Sequence, residues 1–149
     1  MKFTKEASQI EISNQPLFCL LIKNTWQKLG RYYNQRLAKY DLTVPKALLL
    51  LEIAPDSGRT PGFLASRLNL ENSSMTGLLD RLEKKGLLVR EPNPNDRRGI
   101  LVFLTPEGVQ ARDTIKFLVE ELDSKLRAEL SPEEIKVFRR VISIINKQI

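Results

Sequence analysis

Residues 71–105 read ENSSMTGLLDRLEKKGLLVREPNPNDRRGILVFLT, and the pattern changes twice along them. Met75, Leu78, Leu79 and Leu82 recur at three- and four-residue steps, so one face of a helix is apolar and belongs on a core. The opposite face carries Ser73, Ser74, Thr76 and Gly77, with Arg81 and Lys84 further on. Gly86 follows Lys84 and Lys85 and predicts the helix stop, as a glycine after a cationic last turn does. Leucyl, β-branched and aromatic residues at 87–91 and 100–104 then predict two strands. They flank Pro92-Asn93-Pro94-Asn95-Asp96-Arg97-Arg98-Gly99, a segment dense in turn formers that puts Arg97 and Arg98 at a hairpin tip. Short polar side chains on a helix suit the major groove of duplex DNA, and arginines on an extended loop reach phosphates or a narrow minor groove. Taken singly, the serines are a polar helix face and the arginines solvated loop charges. Their adjacency, in this order, predicts a winged helix.

Working toward the N-terminus, Thr60-Pro61 reads as a cap and first-turn pair for a short helix to Leu68, with Phe63, Leu64 and Leu68 turned inward. Followed by the helix at 71–85, it makes a helix-turn-helix unit whose second helix enters the groove. Ser66 and Arg67 on the first helix join the DNA-facing set. Upstream, Thr43 and Pro45 predict another cap and first turn, and Ala47, Leu48, Leu50 and Leu51 make the helix that follows mostly apolar and buried. From Pro16, read as a first-turn residue, Cys19, Ile22, Trp26, Leu29, Tyr33, Leu37 and Tyr40 mark a long amphipathic helix. Its wet face holds Lys23, Lys28, Arg31, Arg36 and Lys39 without an acid, and a solvated face is favoured there over DNA contact. Residues 1–14, with isolated Phe3, Ile10 and Ile12, show no period and read as an arm.

Toward the C-terminus, Thr105-Pro106 starts a helix reaching about residue 130, marked by Val109, Ile115, Leu118, Leu122 and Leu126. Ser131-Pro132-Glu133-Glu134 is a capping box for a last helix carrying Ile135, Phe138, Ile142 and Ile145. A small winged-helix core cannot cover helices of this length, so they are expected to pack on each other and on a second copy about a two-fold axis. The expected fold is mainly α with a small β-hairpin. One domain spans 1–149, with the arm at 1–14, dimerisation helices at 15–40 and 106–148, and a winged helix-turn-helix lobe at 43–105.

Composition narrows the function. A formal charge of +6 favours an anionic partner, with double-stranded DNA ahead of a membrane surface. With no histidine and a single cysteine, zinc sites, His-based catalysis and an intrachain disulfide lose their usual groups. The glycines are scattered singly, without a phosphate-binding loop, so neither an enzyme nor a cofactor is expected. No apolar run long enough for a membrane span and no secretory leader pattern is present, which places the protein in the cytoplasm.

The order of elements, with Leu82-Glu83-Lys84-Lys85-Gly86-Leu87, the Asp96-Arg97-Arg98 tip and the Leu104-Thr105-Pro106-Glu107-Gly108 exit, resembles the multiple antibiotic resistance regulator (MarR) family of transcription factors. The resemblance implies a homodimer on a palindromic operator, usually a repressor, released by a small phenolic or anionic effector or by an oxidant. It places Ser73, Ser74, Thr76 and Gly77 where bases are met, Arg98 in the minor groove, and Asp96 as the acid that orients it. Many members have arginine at the Gly77 position, so one guanine contact is in doubt here. The alternative is a winged helix used for protein association without specific DNA binding. Cys19 has two readings, an inert buried thiol or, by resemblance to organic hydroperoxide sensors, a redox sensor supported by Tyr33 and with Lys23 one turn away.

Overall fold

The computed structural model describes residues 11–12 and 15–149. Phe3 and Ile10 of the expected arm lie outside them. Glu11–Ile12 (β1) pairs antiparallel with Gln15–Pro16 (β2), so Pro16 lies ahead of the first helix instead of in its first turn. Six helices and a hairpin follow: α1 (Phe18–Leu37), α2 (Val44–Glu52), α3 (Pro61–Leu68), α4 (Asn72–Lys84), β3 (Leu88–Pro92), β4 (Ile100–Leu104), α5 (Pro106–Ala128) and α6 (Pro132–Gln148).

The end of α1 tightens into a 3₁₀ turn, Ala38–Tyr40, and Asp41 closes it in the left-handed region at φ 54°, a conformation that Asp tolerates better than most residues. Thr43 makes no side-chain cap for α2. Asn34 does it instead, its Oδ1 accepting from the Val44 N–H at 2.9 Å, which ties the start of α2 to α1. The other predicted caps form: Thr60 accepts from Phe63, Thr105 from Gly108, and Ser131 and Glu134 make a reciprocal capping box.

α4 ends in a full Schellman motif. Leu87 N–H reaches Leu82 O at 3.0 Å and Gly86 N–H reaches Glu83 O at 2.9 Å, which requires the φ of +73° that Gly86 supplies. β3 then runs antiparallel to β4, and Arg59 adds a third rung by exchanging both backbone bonds with Val102. The wing is therefore anchored on both sides of β4.

The core is shared by the end of α1, α2, α3, α4, the hairpin and the first half of α5. Leu49, Leu50, Ile53, Leu64, Leu82, Leu88 and Val102 are fully enclosed, and Ile115 and Leu118 of α5 close the cluster. At about 1.5–3 kcal/mol for each large apolar side chain removed from water, these dominate the lobe's stability. Two expected inward residues differ. Phe63 is 44% exposed and Leu48 of α2 lies on its outer side, while Leu49 faces inward.

α6 contributes no buried residue, and α5 and α6 do not lie packed along each other as expected. Val137 and Phe138 are exposed, as are Phe18 and Trp26 on α1 and Phe117 and Leu126 on α5.

α5 is seated by Gly108, where a Cβ would stand 1.8 Å from the carbonyl oxygen of Leu87. Backbone cannot give way as a side-chain tip can, so Gly108→Ala is expected to cost at least the 1–3 kcal/mol typical of overpacking. Denaturant unfolding measures it, and a variant within about 0.5 kcal/mol of wild type, the range of an innocuous surface change, would contradict the close approach.

Candidate nucleic-acid interface

Because Met75, Leu78, Leu79 and Leu82 are buried, α4 must turn its other side to solvent. Ser73, Ser74, Thr76, Arg81 and Lys84 are all exposed there, and Gly77 is half-buried among them. Thr76 donates its hydroxyl to Asn72 O at 2.9 Å, leaving the oxygen free to accept. Arg81 and Lys84 make no ion pair among the described residues. The helix face thus offers short hydroxyls at its N-terminal half and free cations at its C-terminal half.

The wing tip is held by its own polar groups. Asn93 N–H bonds Gly99 O, Asp96 N–H bonds Asn93 O, and Gly99 N–H bonds Asp96 O, making two consecutive turns closed by a backbone bond at the base. Asn93 Oδ1 accepts from Asn95 N–H and Asp96 Oδ1 from Arg98 N–H, each at 3.0 Å. Asp96 therefore holds Arg98 through its backbone, and the Arg98 guanidinium remains unpaired among the described residues, like that of Arg97. Both side chains are exposed.

Ser66 and Arg67 are exposed on α3, but Arg67 is already engaged. Glu52 receives two of its hydrogen bonds, at 3.0 and 3.3 Å, so Arg67 is not a free cation. At the other end of the lobe, Lys85 is ion-paired with Asp41.

An arginine unmarked by the sequence pattern is held more firmly. Arg90 of β3 donates to Asp80 at 2.5 Å and to Glu83 at 2.7 and 3.2 Å, while its backbone N–H reaches Glu83 as well. Acids three apart on a helix are a signal only once the neighbouring strand is known to lie beside them. Arg59 was equally unmarked, and its guanidinium stacks over Phe63 at 5.3 Å.

The residues singled out on α1 are not brought together. Cys19 is exposed, so the chain itself does not bury it, and Lys23 is exposed one turn on. Tyr33 lies half-buried edge-on to Tyr32, with its pKa raised, first by burial. Fourteen residues of helix put about 21 Å between Cys19 and Tyr33 in one chain.

A MarR family model matches residues 40–99. The multiple antibiotic resistance protein MarR of Escherichia coli K12 is 35% identical over 116 residues, which are 77% of this chain and 81% of that one. This chain belongs to the MarR family. A crystal structure of a mutant E. coli MarR complexed with operator DNA superposes with a TM-score of 0.74 at 32% identity, covering 84% of this chain and 90% of that one. The organic hydroperoxide resistance transcriptional regulator of Bacillus subtilis is more distant for a MarR relative, 27% identical over 104 residues, 70% of this chain and 69% of that one.

Two carboxylates in the lobe have depressed pKa values, Glu83 below its ordinary 4.5 chiefly through the hydrogen bond from Arg90, and Asp41 below 3.8 through Lys85. A depressed folded pKa contributes stability that is present above the unfolded value and lost as pH falls through the folded one. Stability from these pairs is therefore expected to hold down to about pH 4.5 and to fall below it. Stepped-pH denaturant unfolding should show Glu83→Gln flattening this acid limb. Superimposable pH curves for variant and wild type would remove the pair from the acid response.

Proposed function

We propose that this chain is a sequence-specific DNA-binding transcriptional regulator, a repressor that holds a palindromic operator as a cytoplasmic homodimer and leaves it on a small-molecule or oxidant signal. The observation that carries the reading is a helix exposing Ser73, Ser74, Thr76 and Arg81 around a half-buried Gly77, followed by a self-braced wing with two arginines free among the described residues. α4 supplies base contacts in the major groove, and Arg98 reaches the minor groove while Arg97 meets phosphate. Membership of the MarR family and the likeness to a relative solved on operator DNA support it over a protein-association module.

The homodimer rests on the uncovered helices. Ile135, Phe138, Ile142 and Ile145 form a stripe on α6, flanked by Val137, Val141 and Ile144, and none of them is fully buried by the described residues. A second copy covers them, and pairing sets two α4 helices about 34–36 Å apart, one turn of DNA. The releasing signal is a small phenolic or anionic effector, or an oxidant acting at Cys19. The second source is supported by the exposure of the thiol and by the Bacillus relative's name. Titrating operator complexes with a phenolic acid and with an organic hydroperoxide, wild type beside Cys19→Ser, separates the two.

Arg98→Ala is expected to weaken operator binding by about 1–3 kcal/mol, the scale of one groove contact, with fold and assembly intact. Arg97→Ala should instead weaken all sequences alike and flatten the salt slope by about one unit. Fluorescence anisotropy across salt concentrations checks both. Affinity that is indifferent to salt would hand the winged helix to a protein partner.

Ile142→Glu is expected to give a monomer in light scattering and to abolish operator binding, because a charge enters the apolar seam unpaired. A dimeric Ile142→Glu protein would remove this stripe from the interface.

A further inference from the structure

Among the described residues, the densest ionic cluster joins the wing to α4. Glu83 accepts from Arg90 at its backbone N–H, its Nε and its Nη2, and Asp80 accepts from the same Nη2. Arg90 is three-quarters covered, whereas the wing beyond it, from Pro94 through Arg98, is exposed. β4 is fixed on its far side by Arg59, so the free variable of the hairpin is the lean of its β3 edge against α4. That edge is where Arg90 sits.

Leverage makes the lean matter. Asp96 lies six residues beyond Arg90, and at about 3.3 Å per strand residue the tip stands about 15 Å away once the turns are allowed for. A tilt of about 10° at Arg90 then moves the tip by about 3 Å, more than the roughly 0.5 Å tolerance of a preorganised contact. We propose that Arg90, clasped by Asp80 and Glu83, is a positioning residue for DNA recognition, fixing the distance between α4 and the wing so that both grooves of one half-site are read in register. Arg90 itself touches no base. The inference rests on the DNA-binding reading above and adds to it the device that spaces its two reading elements.

Charge and positioning predict opposite signs, which makes the test sharp. Asp80→Ala with Glu83→Ala removes two negative charges beside a polyanion, so electrostatics alone predicts tighter binding. The positioning role predicts operator binding at least about tenfold weaker, with hydroxyl-radical protection lost in the minor groove under the wing and kept in the major groove under α4. Arg90→Met should give the same footprint, and Arg90→Lys, which keeps the charge but not the fork, should fall between. Thermal unfolding is run on each variant. Should Arg90→Met not fold, the double alanine variant decides, since alanine favours the helix. Tighter binding by the double variant, or an unchanged wing footprint in a folded variant, overturns the proposal. Selection of wild type against a random duplex library is the control, and if it enriches no sequence the DNA-binding reading itself fails.

Discussion

Where α5 begins, the missing side chain at Gly108 lets the helix lie against the carbonyl of Leu87, and three chain segments meet there. Thr105 reinforces the contact twice, its N–H bonding Leu87 O at 3.2 Å and its hydroxyl bonding Gly86 O at 2.6 Å. Gly86 is itself the residue that ends α4. The end of α4, the start of β3 and the start of α5 are thus one joint. Both Thr105 bonds end on backbone carbonyls beside the close approach at Gly108, so the joint has little slack to absorb displacement. Any shift of α5 is a shift of the turn from which both α4 and the wing depart.

The ionic groups follow a division of labour. On α4, Asp80 and Glu83 are consumed by Arg90, and Glu52 and Asp41 are consumed by Arg67 and Lys85. The cations left unpaired on the lobe include Arg81, Lys84, Arg97 and Arg98. The exposed pairs among them add little to stability, and the half-covered Arg90 pair adds more. Their effect is to decide which positive charges an incoming phosphate backbone can find, and to keep the acids from opposing it.

Much of this was legible in the sequence because local chemistry and tertiary structure agree. Thr60, Thr105 and Ser131 cap where their prolines announce it, and the period of Met75, Leu78, Leu79 and Leu82 places α4's faces correctly. Thr43 looks like the same device and is not, because Asn34, nine residues upstream, reaches Val44 across the turn. That partnership is tertiary and leaves no mark in a local window. Phe63 reads as core by hydrophobicity, yet it lies under the Arg59 guanidinium at the surface. The Arg59–Val102 rung and the Arg90 fork were hidden for a related reason: each depends on which edge of a two-stranded hairpin faces which neighbour. The long helices announced their need for cover, but amphipathicity alone cannot say whether the cover comes from the same chain. The fold places α5 on the lobe and leaves α6 without a buried residue.

A terminal helix that buries nothing at home has a consequence for how long the protein lasts. Most of a helix's stability in a protein comes from the surface its apolar face lies on, so α6 is ordered more firmly when its apolar stripe is covered. Mass action then couples folding to abundance, with each doubling of concentration shifting the balance toward the covered, ordered state. Scarce chains spend more time open to proteases and abundant ones less. Phe138 and its exposed neighbours are the part of α6 whose order a covering surface would change.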